Sequence, residues 1–163
     1  MSKFIFDRSL SDVERWRTLR NKGWANMSQS ERAEWLSETS PTPSAAKGMY
    51  THNDLNRVEN GVKEVADLFR KVGYNIPTME IKTDWTYQDT ITKEEMVRYL
   101  ANVETIRATS VVFSNTPKTP SINKKLDHLA ANNIEKVLND KFNIANNTMN
   151  AWSPSGGIIS GEV

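Results

Sequence analysis

Residues 50–74 read YTHNDLNRVENGVKEVADLFRKVGY, and this stretch decides the fold. Leu55, Val58, Val62, Val65, Ala66 and Phe69 recur at the spacing of one face of a 3.6-residue helix. Thr51 or Asn53 can cap its amino end, and Gly73 stands where a left-handed carboxyl cap belongs. The apolar face carries no side chain suited to catalysis or metal binding, so this helix predicts a core and no chemistry.

Working outward, three further helix starts are marked by capping-box spacing. Ser11 and Glu14 precede a stripe of Val13, Trp16 and Leu19, which predicts a helix over 12–21 ending near Gly23. Ser28 and Glu31 open a second over 29–38, with Ala33, Trp35 and Leu36 on one side. These two form a small hairpin whose Trp16, Trp24 and Trp35 need a covering surface. Ahead of them lies an apolar plug, Phe4-Ile5-Phe6. Thr92 and Glu95 open a helix carrying Met96, Leu100, Val103 and Ile106, extended weakly by Val111 to Phe113 until Pro117 and Pro120 break it.

The last helix begins between Ile122 and Asp127. It turns Leu126, Ala130, Ile134, Val137 and Leu138 inward and runs on to Trp152. Its far half is rich in asparagine, a mediocre helix former, and frays unless another chain packs on it. Between the central helix and Thr92, Met79, Ile81 and Thr83 alternate, which suggests a brief strand-like crossing closed by Trp85. Residues 37–47, SETSPTPSAAK, read as a linker.

The expected fold is all-α: a small antiparallel three-helix bundle with an N-terminal helical hairpin and an extended C-terminal tail. Residues 1–40 would be the hairpin arm, 41–47 a proline- and serine-bearing linker, 48–152 the bundle and 153–163 the tail. Arms too small to bury their own aromatics are what a subunit uses to grip neighbours, so a homo-oligomer is expected.

Composition narrows the function classes. Lys plus Arg number 21 against 20 Asp plus Glu, and the balance holds along the chain. No segment makes the one-sign field that draws nucleic acid or an anionic membrane, so neither is expected as a partner. The absence of cysteine excludes disulfides and thiolate metal sites. No apolar run approaches the roughly 18 residues of a bilayer span, and Asp7 and Arg8 interrupt the amino-terminal plug as no signal peptide would. The chain is expected to be made and kept soluble in a cytoplasm.

Catalytic chemistry is poorly provided for. His52 and His128 have no second ligand at metal spacing. Glu94 with Glu95, and Asp84 with Asp89, are close enough in sequence to serve caps and helix dipoles in preference to a two-carboxylate hydrolysis. Neither a G-x-S-x-G elbow nor a phosphate-binding glycine loop is present. No catalytic, cofactor or metal residue is therefore assigned, and the chain is read as no enzyme. Trp16, Trp35 and Trp85 fall on core positions, leaving Trp24 and Trp152 as candidate contacts for a partner or a glycan.

Residues 47–74, the run KTDWTYQDTITKEEMVRYLANVETIR, the ANNIEKVL stretch and the ending SGGIISGEV resemble, in that order, small structural proteins of the tail modules of phages and prophages of Gram-positive bacteria. The resemblance covers nearly the whole chain. It implies a non-enzymatic virion subunit of a tail, baseplate or fibre attachment, with other tail or baseplate proteins as partners. A host cell-wall glycan adhesin of the same particle is the alternative. The positions that carry it are Asp54, Leu55, Asn56, Arg57, Glu59, Trp85, Arg98, Tyr99, Leu100, Asn102, Asn133, Ile134 and Glu135. Of these, Arg57, Glu59, Trp85, Arg98, Tyr99 and Glu135 are expected to fix bundle register or to meet a neighbouring subunit. The proline-bearing linker and the asparagine-rich helix end depart from the family pattern.

Overall fold

The structure, a computed structural model, describes residues 4–37 and 45–152. Most of the expected linker, the tail and the Trp152 side chain lie outside the described residues. The described residues are helical, with no strand: α1 (Leu10–Lys22), a 3-10 turn (Trp24–Asn26), α2 (Gln29–Leu36), α3 (Ala45–Gly48), α4 (His52–Lys71), α5 (Lys93–Ala108) and α6 (His128–Trp152).

α4 is built as its sequence reads. Thr51 caps it, and Asp54 returns a carboxylate oxygen to the Thr51 N–H at 2.7 Å. At the far end Gly73 takes φ +92°, the Gly73 N–H reaches Arg70 O at 3.0 Å, and the Tyr74 N–H reaches Phe69 O at 2.9 Å. This is a Schellman closure, completed by the Tyr74 ring edge on Phe69. α4 packs on α5 and α6, which also touch each other. Val58, Val65 and Phe69 meet Tyr99, Val103 and Ile106 of α5 and Ile134, Val137 and Leu138 of α6 in one buried core.

Phe4 also belongs to that core, so the apolar plug is part of the main body and not of the amino-terminal arm. Its seat is Gly61 in mid-α4, where an added Cβ would lie 2.5 Å from the Phe4 ring and 3.2 Å from Leu138 Cδ1. A glycine that weakens an isolated helix here admits an aromatic ring from the start of the chain.

The amino-terminal helices have their own small cluster of Leu19, Met27 and Ala45, with Trp16 and Trp35 against it. Ala45 comes from α3, so residues 45–47, expected in the linker, are instead helical and packed on α1. α1 starts earlier than expected, capped by Ser9 with Asp12. Asp12 is buried, and a buried carboxylate needs the Ser9 N–H and hydroxyl that it holds at 2.7 Å.

Three other expectations change. The crossing before α5 forms no strand, because side chains and not a neighbouring strand hold its backbone. Asn56 accepts the Trp85 N–H and donates to the Trp85 carbonyl, both at 2.9 Å. Arg98 and Asn102 donate to Glu80 O at 2.7 and 2.6 Å. Val111 to Phe113 do not extend α5: they are exposed, and Lys141 of α6 takes the carbonyls of Ser110 and Val111 at 3.0 and 2.9 Å. α6 begins at His128, where the Asp127 carboxylate accepts the Ala130 N–H, and Ala131, not Ala130, is the buried alanine.

Candidate functional site

Three buried charges, Arg8, Asp54 and Glu135, with part-buried Arg57, tie the chain start to α4 and α6. Asp54 serves twice: one carboxylate oxygen caps α4, and the other accepts Arg8 at 2.7 Å and also Arg57. Glu135, fully buried on α6, accepts Arg8 at 2.8 Å and Arg57 at 2.9 and 3.0 Å through both oxygens. It also accepts the Ile5 N–H at 2.7 Å. Two cations and two anions leave the cluster neutral, which is the condition for burying it. Burial disfavours the charge on both arginines, but Glu135 and Asp54 outweigh it and raise both pKa values.

Asn132 completes the attachment. It accepts the Arg8 N–H at 3.0 Å and donates to the Arg8 carbonyl at 2.8 Å. The Arg8 guanidinium also lies over the Tyr50 ring, 5.5 Å from its centroid. The Tyr50 hydroxyl bonds that of Tyr99, which is fully buried in the core. Burial, with the nearby charge of Glu135, pushes both phenols well above the ordinary tyrosine range.

The expected polar network is therefore two networks. Arg57 and Glu135 belong to the quartet. Arg98 pairs with buried Glu59 at 2.6 Å on the opposite side of α4, beside Trp85. Burial raises the Glu59 pKa despite Arg98, the Lys82 backbone and the Trp85 indole, all of which favour the carboxylate. Glu59 Oε2 and Trp85 Nε1 nevertheless make no bond of hydrogen-bond geometry. Lys82 sits over the Trp85 ring, 4.0 Å from the centroid. Arg8 and Asn132 were missed by sequence reasoning, and the one local sign of Arg8 is its place two residues after the apolar plug.

Arg8 and Tyr50 also line a cleft of about 560 Å³. Leu10, Val13 and Trp16 of α1, Gly48 of α3, Leu126, and Ala131 of α6 line it as well. Gly48 has no room for a side chain, since a Cβ would fall 2.1 Å from Asp12 O. The lining is mainly apolar. Arg17, Lys125, Asp127 and His128 complete it. Trp24 lies elsewhere on the amino-terminal unit, 50% exposed, with the Arg32 guanidinium stacked 5.3 Å from its ring centroid. Among the described residues no group of His, Asp and Glu is placed to hold a metal, and no helix is long and apolar enough to cross a membrane. Compared with known proteins, the chain matches no family model, no curated protein and no solved structure.

Proposed function

We propose that this chain is a non-enzymatic structural subunit of a phage tail, baseplate or fibre attachment, an antiparallel three-helix bundle that holds its neighbours through its amino-terminal hairpin and carboxyl tail. The observation that carries this reading is the mainly apolar cleft between α1 and the start of α6, lined in part by Arg8, which the internally neutral ion quartet holds. A subunit needs an apolar surface held in fixed shape, and the ion pairs of Arg8 with buried Asp54 and Glu135 hold one lining residue of the cleft in place. The ordered resemblance of the chain to tail-module proteins names the assembly. The test is an antibody to this chain applied to washed phage particles. Labelling at the tail supports the reading; a chain found only in the host lysate and never on particles overturns it.

A glycan adhesin of the same particle is favoured by one observation, the half-exposed Trp24 backed on one face by Arg32. It requires binding to purified cell wall that disappears in Trp24→Ala.

A further inference from the structure

The cleft has an apolar lining and no occupant supplied by the described part of the chain. One apolar segment lies beyond α6: Ile158-Ile159, within SPSGGIISGEV. We infer that the cleft of one copy receives Ile158 and Ile159 of a second copy, an inference that rests on the subunit reading above and names its partner.

Reach excludes the same molecule. The cleft meets α6 at Ala131. From Trp152 back to Ala131 the helix axis runs 21 residues, roughly 32 Å at about 1.5 Å per residue. From Trp152 forward to Ile158 a fully extended chain covers at most about 22 Å. The shortfall is about 10 Å, so a tail that fills the cleft comes from another copy. Charge agrees with this. Residues 153–163 contain Glu162 and no Lys or Arg, while Arg17 and Lys125 at the cleft form no ion pair among the described residues. A cleft on one surface and a tail on another make a head-to-tail interface, which closes into a ring or grows as a filament.

The test uses the full chain in three forms, with mass in solution read by light scattering. Ile158→Asp with Ile159→Asp spoils the tail. Leu10→Arg spoils the cleft and leaves the core alone, since Leu10 is 56% exposed. The unaltered chain is expected to form a multimer and each variant to be a monomer. Mixing the variants should restore a dimer, because each keeps the half that the other lacks. A monomeric unaltered chain, a variant that keeps the full multimer, or a mixture that stays monomeric overturns the inference. Those results leave the particle-labelling test standing, and absence from particles would sink the subunit reading while leaving the dimer in the mixture intact.

Discussion

At Arg8 a single side chain holds the start of the chain, a helix cap and a fully buried carboxylate together. Removing it leaves Asp54 and Glu135 facing Arg57 alone, and it frees the Ile5 carbonyl that Arg8 also bonds. Breaking a buried pair from one side costs about 3–5 kcal/mol, because the partner charge remains buried. Arg8→Ala is therefore expected to lower unfolding free energy by about that amount in urea titration. The exposed pair of Lys22 with Glu31 provides the contrast, for its 2.7 Å geometry is as good but water screens it. Lys22→Ala should leave the urea midpoint nearly unchanged. Equal losses at the two sites would show that burial does not set the value of these charges.

At the scale of elements, α4 and α5 were legible because their determinants are local: a capping box, a stripe and a stop lie within a few residues of one another. What was not legible is what joins segments far apart in sequence. Asn132 bonds Arg8 across 124 residues and Glu135 bonds Ile5 across 130, and no periodicity encodes such a pairing. Asn56 and Asn132 act alike, each giving one amide to both the N–H and the carbonyl of a non-helical residue, so two segments lie against helices as if against a strand. Asn56→Ala strands two backbone groups of buried Trp85 and should cost about 1–3 kcal/mol. It should also speed amide exchange through residues 76–86 more than in α6; equal acceleration everywhere would mean the segment is not locally pinned. Gly61 shows a second non-local constraint. Alanine in mid-helix gains about 1 kcal/mol over glycine from propensity, but its Cβ would overlap the Phe4 ring. Gly61→Ala is expected to destabilise the chain by about 1–3 kcal/mol and to become stabilising once Phe4→Ala has emptied the seat. A sign that does not reverse in the double variant would remove Phe4 as the reason for the glycine.

For the whole molecule, the buried titratable groups set how stability responds to alkali, and they pull in opposite directions. Lys141 is fully buried and donates to three oxygens after α5. Burial, with Arg107 nearby, lowers its pKa to about 8. The unfolded chain then binds a proton that the folded chain sheds, so this lysine makes stability rise with pH from about 8 to the unfolded value of about 10.4. Tyr50 and Tyr99 do the reverse. Their folded pKa values are raised above the unfolded value of about 10, so their contribution is whole below about pH 10 and is lost above it, at up to about 1.4 kcal/mol per pH unit for each phenol. The urea midpoint is accordingly expected to climb above about pH 8 and to turn over near about pH 10. Lys141→Met should flatten the climb, whatever it costs in absolute stability by stranding three acceptors. Tyr99→Phe should soften the fall and leave the climb alone. If the climb survives in Lys141→Met, the group that sheds its proton is another one.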